Sequence, residues 1–239
     1  MNCLLCGKSA VYELRHSGHW LCKKHFTQLF ERKVKKTIRQ GGLLGKGDHI
    51  LVLLDGSTQS MVCLKILNDI MRPNPKAVLS AALVDDGFGA EFSRESKYCE
   101  SIGVEHNLVQ FGKVKDFALK CGASKIALSD DVEDEVKNSL KALLEFRPHD
   151  IEKLGETTEY PPKKGISAIK VLREVSDADI TLYAELNEIP SGRFKITGPE
   201  DRQLRQMIDT LERMHPGTKY QMLASTDDIR KMLSEKQSS

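Results

Sequence analysis

The sequence predicts an α/β protein built on a parallel sheet and headed by a small metal-stapled module. Three observations carry this. From His49 onward, short apolar runs alternate with helical stretches at the pitch of strand–helix units. The first 25 residues contain Cys3-x2-Cys6 and Cys22-x2-His25, a spacing that suits one tetrahedral ion. Charge is also segregated: residues 1–50 hold ten Lys/Arg against three Asp/Glu, although the whole chain is only +2, so a basic head sits on an acidic body.

Composition narrows the class. With 239 residues, 40% hydrophobic and 29% charged, the chain can bury a full core, which excludes a disordered polymer and a disulfide-dependent scaffold. The longest apolar runs, at 49–54 and 77–84, fall far short of the roughly 20 residues that cross a bilayer. The N-terminus lacks the basic-then-apolar pattern of a secretory signal. A cytoplasmic protein with no membrane partner is expected, in which the six cysteines point to metal or sulfur chemistry rather than disulfides.

In order along the chain, residues 1–25 read as a metal knuckle, too short to build a core unaided. Residues 26–39 read as a helix with Phe26, Leu29, Phe30, Val34 and Ile38 on one face, ended by Gly41-Gly42. HILVLL at 49–54 is a buried strand, followed by the polar turn 55–60 and a helix over 60–71 that Pro73 and Pro75 stop. Strands at 77–87, 105–109 and 125–128 then alternate with helices near 91–102, 113–121 and 132–146. Residues 147–165 lack periodicity and read as a loop; 166–172 is a last strand. Helices follow at 177–187, 199–214 and 225–234, with Pro199 at a tolerated first position and His215-Pro216-Gly217 as a stop. Two units are expected: a knuckle plus basic helix over 1–40, and an α/β body with a helical C-terminal part over 41–239.

Three groups of residues carry candidate chemistry. Cys3, Cys6, Cys22 and His25 form a closed four-ligand set for structural zinc, with Lys8, Lys23 and Lys24 nearby to offset its negative charge. His16 and His19 are alternative fourth ligands, and a redox C-x2-C pair beside an unrelated Cys and His is the competing reading. Arg32, Lys33, Lys35, Lys36 and Arg39 mark the outer face of the first helix, either a solvated surface or a contact for RNA or DNA phosphates. The turn Asp55, Gly56, Ser57, Thr58, Gln59 and Ser60 follows the first sheet strand, where parallel α/β proteins bind phosphate at a helix N-terminus. It has neither a Walker lysine nor the further glycines of a dinucleotide fingerprint, and it also fits a plain polar connection.

Knuckle, basic helix and strand–turn–helix in this order resemble the tRNA 2-thiouridine synthetases of the TtuA type and their eukaryotic cytosolic relatives, which are PP-loop ATP pyrophosphatases. Val84-Asp85-Asp86-Gly87 resembles the V-D-E-G of that family, and residues 125–136 its K-x-A-T-G-H-N-L-D-D-E-A. Residues 166–189 resemble I-K-P-L…E-K-E-V…Y-A, and Pro216-Gly217-Thr218-Lys219 resembles P-G-T-K. The resemblance implies a PP-loop (adenine nucleotide alpha hydrolase-like) fold. It also implies a nucleotide site at Asp55–Ser60 with Asp85 and Asp134, ATP with Mg²⁺ as candidate ligands, and tRNA as partner. The family's reaction adenylates a uridine C2 oxygen, and a sulfur nucleophile then displaces AMP.

Departures from the pattern set the expected role. In the family's S-G-G-x-D-S, Gly56 and Ser60 are kept, but the second glycine is Ser57 and the aspartate is Gln59, whose neutral amide is no substitute for a carboxylate beside a divalent cation. The family's His-Asn is Asp130-Asp131, its C-terminal zinc ribbon has no counterpart here, and its C-x2-C pair is not found near 111–121. Cys63, Cys99 and Cys121 read as isolated, mostly buried thiols. In character the chain is closest to the degenerate, non-catalytic partner subunit of the eukaryotic thiolase. Three readings follow. The first is an accessory, non-catalytic thiolation protein that binds tRNA and an active homologous subunit (or a second copy), with structural zinc and no iron–sulfur cluster. The second is an ATP-dependent sulfurtransferase fed by external sulfur. The third is a zinc-containing nucleic-acid-binding module unrelated to thiolation.

Overall fold

The computed structural model describes residues 1–14, 17–85, 87, 91–147, 150–151, 154–159, 166–190, 192 and 198–237. A β-hairpin, β1 (Tyr12–Leu14) and β2 (His19–Leu21), stands at the head, with Tyr12 opposite Leu21. The hairpin escapes sequence reading because its three-residue strands are too short to show a period. Helix α1 (Lys23–Gln40) follows without a break, burying Phe26, Phe30, Val34, Thr37 and Ile38.

The body is a six-stranded sheet in the order β5-β4-β3-β6-β8-β7. Its strands are β3 (His49–Leu54), β4 (Val78–Asp85), β5 (Glu105–Gln110), β6 (Lys125–Ala127), β7 (Thr157–Glu159) and β8 (Ser167–Ile169). All neighbours pair in parallel except β7, which runs antiparallel to β8 at the edge. Strand β7 lies within the segment expected to be loop. Its Thr157-Thr158-Glu159 has no apolar alternation, so only the pairing with β8 reveals it. Helices α2 (Thr58–Met71), α3 (Ser93–Ile102), α4 (Val114–Lys120) and α5 (Val132–Leu144) alternate with the strands. Then come α6 (Asp177–Leu186), α7 (Pro199–Met214) and α8 (Thr218–Gln237). Helix α8 starts seven residues before the expected 225, because Gly217, at φ +96°, ends α7's turn and launches the next helix at once.

Strand β3 is covered on both faces, as its unbroken apolar run requires. Ile50, Val52 and Leu54 join one core with residues of α2, α6 and α1; Leu51 joins a second with Ala82, Val84, Val114, Ala118 and Ile126. The metal head is continuous with the first core: the Phe30 and Tyr183 rings stack at 4.3 Å, and Tyr12 lies 4.5 Å from Phe26. A smaller cluster of Val132, Val136, Ile208 and Leu223 seats α7 and α8 on α5.

A buried ion cluster locks these last elements. Glu135 of α5 accepts from Lys170 Nζ at 2.5 Å, from Arg173 Nε at 3.3 Å and from the Gly155 N–H at 3.1 Å. Arg173 makes two further bonds to Asp227 of α8 at 2.9 and 3.1 Å and pairs with Glu156 at 3.1 Å. Burial alone would raise the Glu156 carboxyl. Its own backbone N–H, Arg173 and Arg230 outweigh that and hold it below the usual range. Burial would likewise lower Lys170, but Asp130 and Glu135 raise it. The signs fix a pH window. Glu156 contributes stability above its unfolded pKa of about 4.3 and loses it as pH falls; Lys170 contributes below about 10.4 and loses it as pH rises. The urea midpoint is therefore expected to drop below about pH 4. A midpoint that climbs on acidification contradicts this.

Candidate functional site

The knuckle is assembled by backbone geometry. Gly7, at φ +69°, donates to the Cys3 carbonyl at 2.8 Å and closes the turn that aims Cys3 and Cys6 the same way. Cys22 is the N-cap of α1, and His25 sits in that helix's first turn. Cys3 Sγ lies 3.2 Å from His25 Nδ1, Cys22 Sγ 3.5 Å from the same nitrogen, and Cys6 Sγ 3.6 Å from Cys22 Sγ. All four ligand atoms fall within 4.8 Å of one another, and among the described residues no other group of three or more His, Cys, Asp or Glu does so. Bonds of about 2.0–2.3 Å to one tetrahedral ion give such donor separations. Although burial raises the Cys3 thiol, the backbone N–H of Cys22, His25 and the N–H groups of Leu5 and Cys6 bring it down to about 6, which favours a thiolate ligand. His19 is outside the set, and His16 lies outside the described residues.

On α1, Arg32, Lys35, Lys36 and Arg39 are exposed, with Lys35 paired to Glu31 at 3.0 Å. Lys33 departs from this face. Its Nζ donates to the Tyr220 hydroxyl at 3.0 Å and lies 4.2 Å from that ring's centre, and burial lowers its pKa.

The phosphate-sized turn forms as expected at the carboxyl end of β3, with Gly56 at φ +80° and Ser57 capping α2 through a 3.2 Å bond from the Ser60 N–H. Asp55 folds back to accept from the Ser57 N–H at 3.0 Å and its hydroxyl at 2.5 Å. Gly192 covers the turn, donating to Thr58 Oγ1 at 3.0 Å; a Cβ there would fall 2.1 Å from the Gly56 carbonyl oxygen. Gly192→Ala is thus expected to cost about 1–3 kcal/mol by forcing the backbones apart, readable as a lowered urea midpoint. An unchanged midpoint contradicts this close approach.

Beside the turn is a carboxylate basin that the chain neutralises itself. Gln59 Nε2 donates to Asp177 at 2.5 Å and to Asp131 at 3.4 Å. Arg205 bonds Asp134 at 2.5 Å, Lys137 lies 3.6 Å from the same oxygen, and Lys219 pairs with Glu133 at 2.8 Å. Asp134 is therefore tied to α7. Asp85 turns back to the Gly87 N–H at 2.8 Å, and Asp86 lies outside the described residues. Sequence reading missed Asp177, Arg205 and Gly192. Lys219 stood in the quoted Pro216–Lys219 motif, but nothing local links the other three to partners 71 to 134 positions away. A cleft of about 1780 Å³ opens from this basin toward the head, lined by Tyr12, Trp20, Lys33, Asp177, Lys219 and Tyr220 among others.

Cys63 and Cys99 are buried in helices, and burial pushes the Cys99 thiol up to about 11. Cys121 donates to the Ala118 carbonyl at 3.3 Å. Among the described residues these three thiols are not drawn into one ligand set.

Comparison with known proteins bears on the whole chain. The model of the N-terminal LIM domain of 2-thiouridine synthetase TtuA matches residues 2–27. The tRNA 2-thiolation protein NcsA of Haloferax volcanii is 24% identical over 97% of this chain and 88% of its own. The tRNA-5-methyluridine(54) 2-sulfurtransferase of Pyrococcus horikoshii is 27% identical over 92% of this chain and 80% of its own. Among solved structures, the U34-tRNA thiolase NcsA of Methanococcus maripaludis superposes with a TM-score of 0.84 at 22% identity, covering 97% of this chain and 87% of that one. That structure is described with its [4Fe-4S] cluster, which overturns the expectation of no iron–sulfur cluster; that expectation is withdrawn. Its head matches the TtuA N-terminal domain and nearly its whole length is similar to tRNA 2-thiolation proteins of the TtuA/NcsA type.

Proposed function

We propose that this chain is an accessory, non-catalytic protein of tRNA wobble-uridine 2-thiolation, which binds tRNA and works beside an active PP-loop subunit. The observation that carries the reading is the self-neutralised basin. Asp134 is held by Arg205 at 2.5 Å, and the Gln59 amide takes Asp177 at 2.5 Å. Activating a uridine oxygen with ATP requires carboxylates free to hold Mg²⁺ against the phosphates. Here internal cations and an amide already engage them. The turn's Ser57 N–H and hydroxyl are likewise engaged by Asp55.

The head supplies what an accessory protein needs. Zinc on Cys3, Cys6, Cys22 and His25 fixes the hairpin against α1, and the exposed Arg32, Lys35, Lys36 and Arg39 present positive charge to tRNA phosphates. Lys35→Glu with Lys36→Glu is expected to make the slope of log affinity against log salt shallower by about 1.5. An unchanged slope places the RNA elsewhere.

Deletion of the gene is expected to lower tRNA 2-thiouridine. A copy with Gln59→Ala should restore it and the double Lys-to-Glu copy should not, since an accessory role uses the ridge and not the turn. Failure of Gln59→Ala to complement, despite normal folding, overturns the non-catalytic reading.

A second reading, a tRNA-adenylating sulfurtransferase fed by external sulfur, is favoured by the whole-length similarity to the Pyrococcus horikoshii sulfurtransferase. Its test is pyrophosphate release from ATP·Mg²⁺ in the presence of tRNA, and a flat assay at high protein concentration eliminates it.

A further inference from the structure

We infer that the cleft between the metal-stapled hairpin and the α7–α8 turn is a pocket for one unpaired nucleoside of an RNA strand, with Trp20 as a stacking surface. The inference rests on the tRNA-binding part of the reading above and adds where, and by which atoms, the RNA is held. Tyr12 and Trp20 reach the cleft from the hairpin, and Tyr220 from the start of α8; Trp20 and Tyr12 are half-buried and Tyr220 is exposed. Aromatic faces of this kind stack bases of any sequence.

The charges decide which part of a nucleotide enters. Six carboxylates against four cations line the cleft, so its interior disfavours phosphate. The N–H groups of a base and the hydroxyls of a ribose are donors, for which a lining carboxylate such as Asp179 is a suitable acceptor. Phosphate has its place at the lip. Helix α1 lines the cleft with Leu29 and Lys33, and Arg32 and Lys36 stand three residues along on the adjoining exposed face. Base and sugar inside, backbone phosphates on the ridge: both surfaces are satisfied by the same strand. A cationic peptide suits the carboxylates but is repelled by that ridge.

Trp20 is the sole tryptophan of the chain, so its emission reports on the pocket directly. The probe is a single-stranded oligouridylate of about six nucleotides, added to the full chain with its metal in place. The same strand in duplex with oligoadenylate, and inorganic polyphosphate, serve as comparisons. The single strand is expected to quench Trp20, whereas polyphosphate binds the ridge with emission unchanged. Trp20→Ala is expected to weaken the single strand about ten-fold, with Trp20→Phe recovering most of the loss. Tyr220→Leu, which leaves the hairpin and the reporter intact, should weaken binding and reduce the quench. The inference is overturned if the bound single strand leaves Trp20 emission unchanged, if the duplex binds as tightly as the single strand, or if Tyr220→Leu and Trp20→Phe both bind as wild type while a cationic peptide quenches instead. None of these readouts depends on thiolation, so the pocket and the accessory role can fail separately.

Discussion

Glu135→Ala is expected to destabilise the chain by about 3–5 kcal/mol, the range for breaking a buried ion pair from one side. Glu135 is nearly inaccessible and accepts from Lys170, Arg173 and the Gly155 N–H, so its removal leaves two buried cations facing each other. Asp227 and Glu156 still hold part of Arg173, but among the described residues Lys170 keeps only Asp130 at 3.1 Å. Glu135→Gln, which retains the volume and one acceptor, should fall between wild type and Glu135→Ala. Urea denaturation followed by circular dichroism reads both. A loss below about 1 kcal/mol for Glu135→Ala is the value of an exposed pair and contradicts a keystone role.

The second large effect concerns the metal. Cys3→Ala removes one of four ligands from a head that buries little besides Cys3, Leu21 and Cys22. Structural zinc contributes about 10–16 kcal/mol of apparent binding free energy in small zinc modules, which fold only around it. One bound zinc per wild-type chain should therefore become none, and residues 1–22 should become open to protease. Helix α1 should survive, since Phe30, Val34 and Ile38 belong to the main core. Metal analysis and limited proteolysis decide. Stoichiometric zinc in Cys3→Ala, or a hairpin that stays protected, defeats the assignment.

Much of the scaffold was legible because each signal was local. HILVLL, the Pro73 stop and Pro199 at a helix start act within a few residues of themselves, and the elements they mark form where the pattern puts them. The metal set was legible for the same reason: its ligand pairs are fixed by two short turns. Strand β7 was not, since three polar residues become a strand only by meeting β8. The basin was half legible. Gln59 in place of an acid was visible in the sequence, whereas its partner Asp177 lies 118 positions away and Arg205 reaches Asp134 across 71. Lys33 shows the limit of helical periodicity: its spacing puts it with the basic residues, and the ring of Tyr220, from a helix 187 positions on, draws it inward.

The Phe30–Tyr183 stack that clamps α1 to the body governs how an RNA would be met. The charged ridge, the metal knuckle and the cleft hold fixed bearings, because one stiff rod carries the first two and forms a wall of the third. Such a surface works as a gauge rather than a glove. In the proposed tRNA-binding role, a strand whose phosphates match its spacing would dock with little loss of freedom on the protein side, and one that does not match would find nothing to yield.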